Sequence, residues 1–267
     1  MTKPYPAETL LIEGPDAMAF AHAQFSSNVM ALATGHWQFS AWLDPQGRVK
    51  TFFHLARIAD DQLLLLLRGG NAAITTEALR RFVFRSKLTL TALTPRALSA
   101  GPSLSLHAVR HDRENLLLGC DTHSLQISSE GIGDGAWRLP QLREGWPWLP
   151  DVLLNELLPP ALSLQRLQAV VIDKGCYPGQ EIVARLHFRG GNKKHLHRIE
   201  LSSPKIPGEI LRVDAHEKGC LLDVVNSDIG IEALAVLNDD VVAQAINGQL
   251  DSMDDDLMIR LRETWNV

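Results

Sequence analysis

Cysteine is scarce: Cys120, Cys176 and Cys220 are the three present, an odd number with no C-x-x-C spacing. That argues against a disulfide scaffold, a structural zinc site or a thioredoxin-type dithiol, and it fits a reducing cytoplasm. Long hydrophobic runs are missing too. The longest leucine run, Leu63 to Leu67, is far shorter than the roughly 20 residues a membrane helix needs, so it reads as a buried strand. The opening residues Met1-Thr2-Lys3-Pro4-Tyr5-Pro6 carry no apolar stretch, so no secretory signal is expected. Basic residues do not prevail: 26 Lys and Arg against 31 Asp and Glu leave a net charge of −5, so any anion-binding role must come from a local patch. A P-loop, a G-x-G-x-x-G fingerprint, a nucleophile elbow and a paired-carboxylate site are all absent. What remains is an ordinary globular composition, 45% hydrophobic and 21% charged, long enough for one large domain or two to three small ones. A soluble, cytoplasmic protein without membrane partners is expected.

Local signals give a coarse map. Residues 8–13 read as a strand, and Pro15 and Asp16 open a helix over 15–25 with Phe20 inward. Asp44-Pro45-Gln46-Gly47 is type I turn chemistry and joins strands 36–43 and 48–58 in a hairpin. A second hairpin joins 50–58 to 62–68. Asn71 caps a helix whose apolar face is Ile74, Ala78, Leu79 and Phe82, and 86–91 alternates like a half-buried strand. Short strands and turns follow over 97–135, with a break at Gly131 to Gly135. Prolines 140, 147, 150 and 159 around Trp137, Trp146 and Trp148 mark a loop-rich segment packed on a preformed core. A short helix at 163–167, a strand at 169–172 and a helix over 179–187 are expected next. Turn signals from Ser203-Pro204 to Asn247-Gly248 space out short strands, as in a small barrel or sandwich. The whole reads as α+β followed by a small all-β domain, and Asp254-Asp255-Asp256 as a solvated turn.

Cys176 is the strongest chemical candidate. It stands between Gly175 and Tyr177, just ahead of the helix expected from Pro178 or Gly179. Unpaired amides there would favour a thiolate, with Lys174 and Arg185 adding positive charge. A lone cysteine is more often a small buried hydrophobe, but its polar and glycine-rich neighbours suit a dry core poorly. Arg185, Arg189, Lys193, Lys194 and Arg198 form a basic stretch around Gly190-Gly191, interleaved with His187, His195 and His197. It reads equally as a phosphate- or carboxylate-binding cluster and as a solvated linker. The histidine spacing matches no recognised metal-ligand pattern, so no tightly bound metal is expected. Trp137, Trp146 and Trp148 form either an aromatic wall for a flat heterocycle or core packing.

The segment Lys174-Gly175-Cys176-Tyr177-Pro178-Gly179-Gln180-Glu181-Ile182-Val183-Ala184-Arg185, with Arg189-Gly190-Gly191-Asn192-Lys193-Lys194 beyond it, closely resembles the signature of the YgfZ family of folate-binding proteins. Phe20 to Val29 resembles a relaxed form of that family's N-terminal F-x-x-x-Q-x-T-N-D-V pattern, and Leu43 to Arg48 its L-D-P-K-G-R turn. The resemblance implies a fold shared with the aminomethyltransferase of the glycine cleavage system. In it, 1–57 and 136–192 form a discontinuous folate-binding domain, 58–135 an inserted α/β domain and 193–267 a C-terminal β-barrel. It implies binding of tetrahydrofolate or a derivative through Trp137, Gln24 and Asn28, with Trp137 at the pterin, and through Arg185, Arg189, Lys193 or Lys194 at the glutamate tail. It further implies Cys176 as the functional thiol of an accessory factor for iron–sulphur client enzymes, touching tRNA indirectly through those that modify it. Three departures stand out. Ala7 replaces a tryptophan, Pro159 to Leu164 loses two amide side chains, and Thr51 takes the place of the transferase's aspartate. A folate-dependent one-carbon transferase and a tRNA-binding module are the alternative readings.

Overall fold

The computed structural model describes residues 5–129, 131, 133–213, 216–245, 249–253 and 257–265, with 249–253 as backbone alone. The expected turns at Asn247-Gly248 and Asp254 to Asp256 lie outside the described residues. Most of the chain is β-structure. In chain order the elements are β1 (Pro6–Ala7), β2 (Thr9–Glu13), α1 (Ala17–Gln24), β3 (His36–Leu43), β4 (Val49–Ala59), β5 (Gln62–Leu67), α2 (Ala72–Arg80) and β6 (Thr89–Ala92). Next come β7 (Arg96–Gly101), β8 (Val109–Asp112), β9 (Asn115–Gly119), β10 (Ser124–Ser128), α3 (Arg138–Arg143) and α4 (Gln180–Arg189). The chain closes with β11 (Lys194–Leu201), β12 (Ile210–Val213), β13 (His216–Ser227), β14 (Gly230–Asn238), α5 (Asp239–Val242), β15 (Gln249–Met253) and β16 (Leu257–Trp265).

The strands form three antiparallel sheets, ordered β3-β4-β5-β2-β6, β1-β7-β10-β9-β8 and β12-β13-β14-β11-β16-β15. The outer strands β12 and β15 of the third sheet approach each other, so that sheet curls towards closure. The expected boundary at 57/58 falls inside β4, and β5 and β6 share the sheet of β2, β3 and β4. A single core joins all three sheets, with Phe39 and Phe52 from the first, Leu118 and Ile127 from the second, and Leu222 and Val236 from the third. The leucine run explains itself in this frame. Leu64 and Leu66 face that shared core, while Leu63, Leu65 and Leu67 face a second one under α1 and α2. Each leucine so buried contributes about 1.5–3 kcal/mol.

Turn chemistry behaves as the residues predict. The Gly47 amide bonds to the Asp44 carbonyl at 2.9 Å, the Arg48 amide to the Asp44 carboxylate at 2.8 Å, and Gly47 sits at φ +79°. Asn71 caps α2 through bonds from the Ala73 and Ile74 amides. The helix faces are less obedient. Instead of Ile74 and Phe82, α2 buries Ala72, Thr75, Thr76 and Leu79, and Ile74 is 73% exposed. The Glu8 carboxylate accepts the Ala72 amide at 2.9 Å, and Thr76 returns its hydroxyl to the Ala72 carbonyl at 2.7 Å. Those bonds suit the small polar face to the sheet.

The helix expected at 163–167 and the strand at 169–172 do not form. A 3-10 helix at Pro159–Leu162 runs into turns, with Ser163 and Gln168 both at φ +53°. The backbone of 169–171 is held by Ser26 instead, which donates its hydroxyl to Ala169 O at 2.7 Å and accepts the Val171 amide on its own carbonyl. No helix among the described residues is long and apolar enough to cross a membrane.

Candidate functional site

The cysteine loop is braced by its own side chains. Lys174 is buried, and its ammonium donates to the carbonyls of His22 and Phe25, the latter at 2.6 Å. These carbonyls lie at the C-terminal end of α1, where the helix dipole favours a cation. Burial pushes the Lys174 amine down to about 8. Tyr177 donates its hydroxyl to Val171 O at 3.0 Å, and burial pushes its phenol up to about 12. Gln180 donates to Ile172 O at 2.9 Å and to Lys174 O at 3.2 Å. Gly179, at φ +79°, lies so close to the β3–β4 turn that a Cβ there would meet Asp44 O at 2.5 Å. A Cβ on Gly47 would likewise meet Ile182 at 3.0 Å. The two glycine-bearing motifs are therefore two halves of one backbone contact.

These anchors leave Cys176 exposed at the surface of the loop. Cys120 and Cys220 are buried, and desolvation raises their thiols to about 12 and about 11. The helix begins later than the sequence suggests: α4 opens at Gln180, four residues beyond the thiol, and Lys174 serves the α1 carbonyls. Arg185 is exposed on α4.

Beside this loop lies a cavity of about 830 Å³, and Val171 and Asp173 of the loop line it. Trp37, Phe39 and Trp146 supply aromatic walls, with Trp146 edge-on to Phe39 at 5.1 Å and to Trp37 at 6.1 Å. Asn28, Gln38, Arg166 and Gln168 bring polar groups. Arg166 is fixed by bonds to the carbonyls of Glu144 and Gly145 at 3.0 and 2.9 Å. Behind the wall, Arg68 is fully buried and pairs with no carboxylate by hydrogen bond among the described residues. It donates to Pro147 O at 2.8 Å, Trp146 O at 2.9 Å and Gln141 Oε1 at 2.7 Å. Burial lowers this guanidinium to about 9. The cost of burying the cation is offset only while those acceptors stay in place, so Arg68 clamps the 141–148 segment to the first sheet.

The folate residues expected from sequence are divided. Asn28 lines the large cavity, whereas Trp137 lines a second one of about 480 Å³ with Trp148, Arg138 and Asp223. Trp137 is buried, its ring 4.7 Å from that of Trp148. Gln24 lines neither cavity. Arg189 and Lys193 are exposed outside both, and Lys194 pairs with Glu217 at 3.0 Å. The histidines diverge: His187 is exposed, His195 bonds Asp239 at 2.6 Å and His197 turns inward to Thr264 at 2.9 Å. Thr51 is buried in β4, paired across the hairpin with Trp42.

No family model matches the chain. An uncharacterized protein of Haemophilus influenzae is 27% identical over 245 residues, covering 86% of each chain. A protein of Enterobacter named tRNA-modifying protein YgfZ is 25% identical over 88% of this chain and 84% of its own. One of the same name from Escherichia fergusonii is 24% identical over 96% of this chain and 87% of its own. The chain is similar to the YgfZ proteins over most of its length. Its fold is similar to that of the glycine cleavage system aminomethyltransferase T of Bartonella henselae, with a TM-score of 0.67 at 15% identity, over 96% of this chain and 82% of that one.

Sequence reasoning singled out the cysteine loop but not the cavity walls Trp37 and Phe39, nor the Arg68 clamp. One local signal for the clamp exists, an arginine placed directly between the leucine run and Gly69-Gly70. Trp146 was a candidate wall from sequence, but Trp37 carries no such signal, because only the folded chain brings the two together.

Proposed function

We propose that this chain is a tetrahydrofolate-binding accessory protein for iron–sulphur enzymes, including tRNA-modifying ones, with Cys176 as its functional thiol. One observation carries the reading. Lys174, Tyr177 and Gln180 are all committed to holding the loop, so that Cys176 is left exposed while Asp173 of the same loop lines the large cavity.

The cavity suits a folate. Its volume lies in the range of about 300–1,000 Å³ common for small-molecule sites, and flat aromatic walls with few polar groups are the usual lining. The partly buried Trp146, backed by the buried Trp37 and Phe39, offers a surface for a pterin ring, while Asn28, Gln168 and Asp173 offer donors and acceptors for its edge. Arg166 is the cation of this lining that suits a glutamate-tail carboxylate. The proposal thus assigns the pterin to Trp37 and Trp146 rather than Trp137, and the tail to Arg166 rather than to Arg185, Arg189, Lys193 and Lys194. When bound, the folate supplies a one-carbon carrier; the chain's residues bind and orient it beside the thiol. The relatives' name supports the link to tRNA modification, and the neighbour's fold supports the link to folate.

A one-carbon transferase of the aminomethyl type needs a carboxylate to favour a cationic aminomethyl group. Thr51 brings no charge, which favours the accessory reading. Calorimetry with tetrahydrofolate is expected to give saturable binding in the micromolar range, weakened roughly tenfold or more by Trp146→Ala through loss of aromatic contact. Absence of binding at high micromolar ligand contradicts the proposal.

A further inference from the structure

The segment Arg80-Arg81-Phe82-Val83-Phe84-Arg85-Ser86-Lys87 has no part in the site above. It links α2 to β6 as an irregular turn, and it puts four cations and two phenylalanines on the surface of a protein whose net charge is −5. Phe84 is 86% exposed and Phe82 39%. Arg80 is paired with Glu77 at 3.0 Å, but the side chains of Arg81, Arg85 and Lys87 have no carboxylate partner among the described residues. Of the acids nearby, Asp16 accepts the Lys87 backbone amide at 2.6 Å, and Asp44 accepts the Arg48 amide at 2.8 Å and attracts Lys50.

The patch extends onto the first sheet. Phe82 meets the Trp42 ring edge-on at 6.0 Å, and Lys50 lies 3.6 Å above that same ring, between the attraction of Asp44 and the weaker repulsion of Arg81. Arg81, Arg85 and Lys87 thus stand as exposed cations that a polyanion would neutralise. Exposed rings set among cations are the composition of a single-strand platform, in which bases stack on the rings and phosphates meet the charges. An anionic membrane would call for an amphipathic helix with a continuous apolar face, whereas this segment is turn and bend.

We propose that Lys50, Arg81, Phe82, Phe84, Arg85 and Lys87 form a binding surface for single-stranded RNA, distinct from the folate cavity. The Trp42 strand leads into the Asp44–Gly47 turn that packs on Gly179, so the surface adjoins the cysteine loop.

Fluorescence anisotropy of a short labelled oligouridylate, titrated with the full chain, tests this. About three or four phosphate contacts predict affinity falling roughly 20- to 50-fold between about 50 and 200 mM salt. Arg81→Glu with Arg85→Glu is expected to abolish binding, and Phe84→Ala to weaken it roughly tenfold through lost stacking. Both variants alter exposed side chains, and both are expected to keep wild-type unfolding midpoints and tetrahydrofolate binding. Oligouridylate binding that ignores these substitutions or ignores salt overturns the inference. So does charge-dependent capture by phosphatidylglycerol vesicles without RNA binding, which reassigns the patch to a membrane. Loss of folate binding in the wild type would sink the preceding proposal and leave this one standing.

Discussion

Three cysteines of one chain meet two environments, and burial sorts them. Cys120 and Cys220 lie in the core with thiols raised to about 12 and about 11, so they stay protonated and inert near neutral pH. Cys176 is left exposed instead, because its neighbours carry the anchoring bonds. The same desolvation governs His197, which is buried with its imidazole lowered to about 4. An unfolded histidine takes its proton near pH 6.5, so between about 6.5 and 4 the unfolded chain binds a proton that the native one refuses. Folding therefore weakens as pH falls through that window, and the loss stops growing below about 4. Replacing His197 with Gln removes this contribution. Urea unfolding at pH 7 and pH 4 is expected to differ less in that variant than in the wild type, by on the order of 2–3 kcal/mol. An unchanged difference would show that His197 titrates normally.

At the scale of elements, the decisive contact is between the β3–β4 turn and the start of α4. Gly179 stands in the left-handed region with Asp44 O where a Cβ would be. Gly179→Ala is expected to lower stability by about 2–4 kcal/mol, from strain at positive φ together with the clash. A melting temperature equal to the wild type's would contradict the packing. Local chemistry was legible here: the Asp44-to-Gly47 turn, the Asn71 cap and helices α1 and α4 follow from neighbours within a few residues. The inward face of α2 was not, because Thr75 and Thr76 are read as polar until Glu8 and the sheet fix the helix's rotation. Nor was the geometry of 169–171, whose backbone is held by Ser26, 143 residues away from Ala169. In the site itself Cys176, Asn28 and Trp146 were within reach of sequence reasoning, but the role of Lys174 was not. An ammonium beside a cysteine suggests charge for the thiol, and only the fold reveals the α1 carbonyls that claim it.

Over the whole molecule, three sheets converge on one core, and the large cavity opens where the first sheet, the 104–107 loop and the 166–173 segment meet. A ligand there touches parts of the chain far apart in sequence and comes to the loop that carries the thiol. If folate binds there as proposed, its binding and access to the thiol, three residues beyond the cavity-lining Asp173, are expected to be linked. Iodoacetamide labelling followed by mass spectrometry measures it directly. The native chain is expected to label at Cys176 alone, and saturating tetrahydrofolate to slow that labelling at least severalfold, with the protection lost in Trp146→Ala. A labelling rate that tetrahydrofolate leaves untouched, at concentrations where calorimetry shows binding, would contradict the account.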